Sequence, residues 1–227
     1  MIRVLVLSDL SAVHTPRFVE ALQQRGMVVG CLSLEPFPSE AHPYGIYVPP
    51  RIPHPLRARY ISSVDRVKGA VYAFRPDVLV PVHLPNYGLL AWLIRPRVPV
   101  YLVAWGSDLL YTAEKTPVHR WVTRRIVKAA QAWNVDALEM ERVLIQRYHI
   151  PPERIDRITW GLQAGWLDGV PERSHAHRWD IFSHRRLDPD MDPLTLIHAF
   201  HHARQEGYPG RLILAGDGSL RTRVLET

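Results

Sequence analysis

"RVLVLSDLSAVHTPRFVEALQQRG", residues 3–26, is the stretch that decides the fold. Ile2–Leu7 form an apolar run broken only by Arg3, as expected of a strand buried on both faces. After the loop Ser8–Pro16, the residues Phe18, Val19 and Leu22 sit at helical spacing, and Gly26 closes that helix. Strand, loop and helix in this order open a βαβ unit, and the chain then repeats the pattern. Met27–Leu34 reads as a second strand. Residues 35–55, "EPFPSEAHPYGIYVPPRIPHP", hold seven prolines and are predicted to be a long irregular loop. Tyr60–Phe74 is predicted helical, and "RPDVLVPVH" (75–83) carries a third strand. Tyr87–Ile94, Val118–Ala130 and Ala137–Tyr148 read as helices. Val98–Ala104, Ala132–Val135 and Arg157–Thr159 read as strands.

Strands alternating with helices predict an α/β fold with a parallel sheet covered on both faces. We place a Rossmann-like domain at residues 1–160. Residues 161–178, "GLQAGWLDGVPERSHAHR", mix glycine, proline and charge as a linker does. A new unit then begins at 179–227: strand Trp179–Ser183, loop "HRRLDPDMDP", helix Leu194–Glu206, strand Arg211–Ala215 and the turn Gly216–Gly218. It is the first part of a second Rossmann-like domain.

Composition limits the function. The 227 residues are 47% hydrophobic and 22% charged, ordinary for a globular protein. The single cysteine, Cys31, excludes an intramolecular disulfide and a multi-cysteine zinc site, and it fits a reducing, cytoplasmic setting. No apolar run approaches the ~20 residues needed to span a bilayer. The formal charge of +6 fits an anionic partner: a phosphorylated small molecule, a membrane surface or nucleic acid. No aromatic–basic repeat supports nucleic acid.

In open parallel sheets, ligands bind at the carboxyl ends of strands. The first such loop holds Ser8, Asp9, Ser11 and His14. Its helix start fits either an anion site or a plain Ser11 or Thr15 cap. It contains no glycine, which disfavours a conventional NAD-binding turn and with it an NAD(P)-dependent epimerase-like enzyme. The third-strand loop holds His83, Asn86 and Gly88. The fourth, "AWGSDLL" (104–110), offers close backbone approach at Gly106, a hydroxyl at Ser107 and a carboxylate at Asp108. Asp108 fits a sugar-hydroxyl acceptor, a base or a helix N-cap. Trp105 fits a stacking platform for a sugar or a core filler. In the second unit, Arg185 and Arg186 follow a strand and suit bidentate diphosphate recognition or a solvated charge pair. Gly216 and Gly218 would let a nucleotide approach the backbone. His198, His201 and His202 lie opposite the apolar face of their helix, without an acid or cysteine to complete a metal site.

Together these segments resemble the retaining glycosyltransferases of family 4, which have the GT-B fold. Residues 3–26 are similar to the family's first strand, loop and helix. "YLVAWGSDLL" (101–110) resembles the "WGSD" loop of one subgroup. "ALEMERVLIQRYHIPPERIDRITWGL" (137–162) resembles the helix and turn before the linker. "IFSHRRLDPDMDPLTLIHAF" (181–200) and "RLILAGDGSLRTRVLE" (211–226) are similar to the opening of the donor domain. The resemblance implies two Rossmann-like domains, the first for the acceptor and the second for a UDP- or GDP-linked sugar. It implies no metal or other cofactor, since basic side chains and helix N-termini stabilise the leaving diphosphate. Arg186 matches the arginine on the diphosphate, with Arg185 beside it. Gly216, Asp217 and Gly218 match the turn at the nucleotide. Gly106, Ser107 and Asp108 match the acceptor-side loop, with Asp108 as the catalytic candidate. His14 matches a position near the cleft, and His83 and Trp105, read from their strand-end loops, join it with Gly106 and Ser107 as acceptor-binding candidates.

The chain departs from the family in three places. Met191 stands where a lysine often follows the diphosphate arginine, and Trp105 stands where many relatives carry a histidine. The family's paired glutamates lie well downstream of the glycine turn, beyond Thr227. The chain is therefore expected to be a truncated product or fragment with little or no hexose transfer of its own. The alternative is a binding module, or one half of a split enzyme completed by a partner chain. The expected partners are a nucleotide-sugar, a glycan or lipid-linked acceptor, and an anionic membrane surface at the inner face.

Overall fold

The computed structural model describes residues 1–52, 56–159, 161, 165, 168–169 and 179–227, with the backbone alone at 56 and 57. The linker expected at 161–178 lies almost wholly outside the described residues. The chain divides into two compact units, Met1–Leu162 and Gln163–Thr227.

The first unit begins with β1 (Arg3–Leu7), α1 (His14–Gln23) and β2 (Val28–Ser33). Then come β3 (Gly45–Tyr47), α2 (Leu56–Ser62), α3 (Val64–Phe74), β4 (Val78–Pro81) and α4 (Leu89–Ile94). It closes with β5 (Tyr101–Val103), α5 (Ser107–Leu110), α6 (Pro117–Ala129), β6 (Ala132–Val135), α7 (Leu138–Tyr148) and β7 (Ile155–Arg157). Strands β3-β2-β1-β4 form one parallel ladder and β5-β6-β7 another. Parallel bridges Leu79–Val100 and Val82–Val103 join them, so the order runs 3-2-1-4-5-6-7. The direction of winding reverses between β1 and β4, where a doubly wound sheet opens its ligand crevice.

The alternation along each strand sorts the core into two layers. Leu5, Leu7, Leu32, Leu79, Leu102 and Trp133 point to one face, under α3, α4 and α6. Val4, Val6, Val29, Cys31, Val80, Val82 and Val103 point to the other, where Val19 of α1 meets them. Each fully buried leucine contributes about 2 kcal/mol relative to exposure.

Three expectations shift. The proline-rich loop contains β3, which pairs with Cys31–Ser33. Three residues suffice for an edge strand, and proline is tolerated around an edge. A Cβ at Gly45 would run into the Phe37 ring, so glycine lets the strand close onto the loop before it. The helix expected over 60–74 is two helices, because the Ser63 hydroxyl donates back to the Arg59 carbonyl at 2.6 Å where α2 ends. The last strand of the unit lies at 155–157 rather than 157–159.

The second unit contains β8 (Ile181–Ser183), α8 (Pro193–Gln205), β9 (Leu212–Leu214) and α9 (Arg221–Glu226). The two strands pair in parallel, Phe182 beside Ile213. Asp192 caps α8 by accepting from the Thr195 amide, and Pro193 takes the first helical position. Among the described residues of this unit, Leu187 is the one buried large apolar side chain.

Candidate functional site

The loops at the carboxyl ends of β1, β2, β4 and β5 surround a cavity of about 140 Å³. Ser8 and Asp9 come from the first, Glu35 from the second, and His83, Asn86 and Tyr87 from the third. Trp105 comes from the fourth, and Tyr60 of α2 closes one side.

Each wall is held by hydrogen bonds. The Ser8 and Thr15 hydroxyls meet at 2.8 Å, and neither Thr15 nor Ser11 caps α1. Ser11 donates from both its amide and its hydroxyl to Asp9 Oδ1, at 2.8 and 2.7 Å. The Tyr87 hydroxyl accepts from the Leu34 amide at 3.0 Å. The Tyr60 hydroxyl donates to Glu35 at 3.2 Å, and Arg59 forms an ion pair with the same carboxylate. Tyr60 and Tyr87 pack edge to face at 5.5 Å. Burial pushes the Tyr60 phenol up to about 12 and Tyr87 higher still, so both remain protonated.

His83 begins a single π-turn, His83–Gly88, in the left-handed region at φ 71°. Such turns and such backbone angles concentrate at functional sites. The ring lies 5.7 Å from Trp105, which in turn has His14 edge-on at 6.3 Å. His83 Nδ1 and Trp105 Nε1 are buried and without a hydrogen-bond partner among the described residues. Burial lowers the His83 pKa, with the Asp108 charge opposing, so the ring is neutral at pH 7. An imidazole nitrogen and an indole N–H left unsatisfied beside a small polar cavity are exceptions to the rule that buried polar groups are paired.

Asp108 is not presented to this cavity. It is 1% exposed. Its Oδ2 accepts from the Leu84 amide at 2.9 Å, and its Oδ1 from the Trp105 and Leu109 amides at 3.0 and 2.9 Å. Burial pushes its carboxyl up, opposed by His83 and these three amides. The base suggested by sequence is thus turned inward, clamping two loops together. Gly106 (φ 98°) makes the turn that permits it, and Ser107 is exposed on the surface.

In the second unit, Arg186 pairs with Asp188 and Asp190, both at 2.8 Å, and is not an unengaged cation. Arg185 reaches the Met191 sulfur at 3.8 Å. A Cβ at Gly216 would strike the Arg185 carbonyl, and one at Gly218 would come within 2.5 Å of Leu187. The glycines therefore let the turn lie against residues 185–188, which is a packing reason for both. Ser219 donates from its amide and hydroxyl to Asp188, both at 2.9 Å, and Asp217 O accepts from the Leu187 amide. His198, His201 and His202 are exposed, and among the described residues no three His, Cys, Asp or Glu side chains gather to hold a metal.

Glu35, Tyr60 and Arg59 are site residues that sequence reasoning passed over. Glu35 follows a strand, as the other site residues do, but the proline run after it obscured that signal.

The sequence model of the glycosyl transferase 4-like family matches residues 3–137, more than half of the chain. The chain belongs to that family. No curated protein matches it. Among solved structures it is similar to sucrose-phosphate synthase from Thermosynechococcus elongatus (TM-score 0.70, 16% identity, 94% of this chain and 62% of that one). It is also similar to a glycosyltransferase from Rickettsia africae (0.65, 12%, 99% and 63%). A third is the UDP-GlcNAc 2-epimerase from Neisseria meningitidis bound to UDP-GlcNAc (0.54, 13%, 69% and 46%). These likenesses are of fold: the GT-B, Rossmann-like architecture. The chain spans less than two thirds of the length of each. Among the described residues of this family member, no helix is long and apolar enough to cross a membrane.

Proposed function

We propose that the first unit is the acceptor-binding half of a retaining, family 4 glycosyltransferase. The reaction moves a hexose from a UDP- or GDP-linked donor to a glycan or lipid-linked acceptor, in polysaccharide biosynthesis on the cytoplasmic side of the membrane. The observation that carries this reading is the cavity at the sheet's switch point, walled by Asp9, Glu35, His83 and Trp105, the last two each with a buried nitrogen that has no partner among the described residues. Trp105 offers a face for a sugar ring. Asp9 and Glu35 are acceptors for its hydroxyls, and neutral His83 orients another. Asp108 is a positioning residue. Arg185 and Arg186 are assigned to the donor diphosphate, and Arg186 would exchange its aspartates for phosphate oxygens. His14, edge-on to Trp105, and exposed Ser107 are assigned to the acceptor side, and Gly216, Asp217 and Gly218 to the donor side.

Saturation-transfer NMR with a panel of hexosides and lipid-linked sugars tests the acceptor side. Contact with at least one member, lost in Trp105→Ala, is expected. Contact with none overturns the reading.

A second reading is favoured by the small sheet of the second unit, where Phe182 is 60% and Ile213 40% exposed on the same face. A further polypeptide packed there would complete the donor half, and hexose transfer by this chain alone is expected to be slight. Robust turnover of a nucleotide-sugar by the isolated chain overturns this second reading.

A further inference from the structure

The first unit carries another concave surface, at the end of the sheet away from the cavity. Helices α3, α4 and α6 pack in sequence, and the C-terminal ends of α3, α4 and α6 border it. Between α4 and α6 runs a groove of about 350 Å³ with apolar walls that include Ala91, Trp92, Leu102 and Ile126. On the other side of α4, against α3, lies an open cleft of about 730 Å³. Arg95, Pro96 and Val98 belong to both, so the two form one continuous surface. Among the described residues its cleft is lined by Lys68, Arg75, Arg95 and Arg97 and by no acidic residue, and all four cations are exposed.

A helix dipole attracts cations to a C-terminus, which accounts for Arg75 and Arg95, the residues that end α3 and α4. It does not account for Lys68, nearly two turns earlier, or for Arg97, in the loop beyond. Two large aromatics are left in water, one in the cleft and one against the groove's wall. Tyr72 of the cleft is 81% exposed. Trp121 is 53% exposed and packs edge-on against Trp92 of the groove at 6.0 Å. Arg125 lies over the Trp121 ring. An apolar groove, a cleft whose described lining has four cations and no acid, and exposed amphipathic aromatics match a partner that is negative at its skin and apolar beneath.

We propose that this face docks on the surface of an anionic phospholipid membrane. The cations meet lipid phosphates, while Tyr72 and Trp121 reach the boundary between headgroups and acyl chains. The proposal gives a specific surface to the membrane partner expected from charge, and it uses none of the residues of the sugar cavity.

Flotation of the full chain with vesicles tests it. Binding to mixed phosphatidylcholine–phosphatidylglycerol vesicles is expected, with little to pure phosphatidylcholine. The double variant Lys68→Gln, Arg97→Gln is expected to bind on the order of 20-fold more weakly, about fivefold for each charge. Arg223→Gln, in the second unit, is expected to bind as the parent does, and circular dichroism reports that each variant is folded. Equal binding to neutral vesicles, undiminished binding by the folded double variant, or no binding at all overturns the proposal. So does a concentration-dependent dimer, seen by light scattering, that the double variant dissolves without any vesicle binding. Sugar contact at Trp105 is measured separately, so failure here and failure of the acceptor reading are distinguishable.

Discussion

Asp108 holds three backbone amides with one carboxylate, drawn from the end of β4's loop and from both ends of the β5 turn. Asparagine there keeps one oxygen and turns an N–H toward an amide that already donates. Asp108→Asn is expected to lower stability by about 2–3 kcal/mol in urea unfolding, whereas exposed Ser107→Ala is expected to stay within about 0.5 kcal/mol. His83 gives a change with pH. Its folded pKa lies below its unfolded one, so the unfolded chain takes the proton first. Stability is full above about 6.5, the usual histidine value, and falls as pH drops below it. Asparagine tolerates the left-handed backbone at this position. His83→Asn is therefore expected to flatten that part of the stability–pH curve, read by denaturant midpoints from pH 7.5 to 5. Sequence placed His83 and Trp105 at strand ends correctly, because the strands themselves were plain. It could not show which way Asp108 faces: a carboxylate that caps amides and one that meets substrate occupy the same place in a "WGSD" string.

Elements were legible where apolar periodicity was strong and long. β1, β2, α6 and α7 stand where their patterns put them. β3 was lost among prolines because a three-residue edge strand needs only one ladder partner and leaves no periodicity. The break between α2 and α3 was lost because it falls where the hydroxyls of Ser62 and Ser63 both donate to the Arg59 carbonyl, a local detail that periodicity does not carry. Gly69 lies inside α3 with open space around the position of a Cβ. Gly69→Ala is expected to raise stability by about 0.5–1 kcal/mol, read as a shift of the thermal midpoint. Gly216 is the opposite case, since its missing Cβ is what admits the Arg185 carbonyl. Gly216→Ala is expected to loosen the turn from residues 185–188 and to hasten proteolytic cleavage within 179–227, with cleavage of the first unit unchanged.

At the scale of the molecule, the two units differ in what they bury. Among the described residues, the first has a seven-strand sheet with buried layers on both faces, and the second has two strands and Leu187 as its buried large apolar side chain. Hydrogen exchange is expected to reflect this: amides of Leu212–Leu214 exchange well before those of Leu5–Leu7. Equal protection would show that the second unit is steadied by something other than its own core. The α/β class and the two-unit order could be read from the chain because each βαβ repeat is local. Which loops converge on one cavity is a matter of strand order, 3-2-1-4-5-6-7, and strand order is not written in any local pattern.

That order has a consequence for binding. The Asp108 carboxylate grips the amide of Trp105 with one oxygen and the amide next to His83 with the other, so the platform and the imidazole are mechanically joined. A neutral sugar seated on Trp105 dries a ring 5.7 Å away and makes its imidazolium harder to form. Occupancy and protonation then exclude one another, and the exclusion is reciprocal. Where His83 begins to take up a proton, below its usual 6.5, a bound glycan should expel a fraction of that proton, and acid should expel the glycan. Titration calorimetry in two buffers of different ionisation enthalpy would register that proton as a difference in apparent heat.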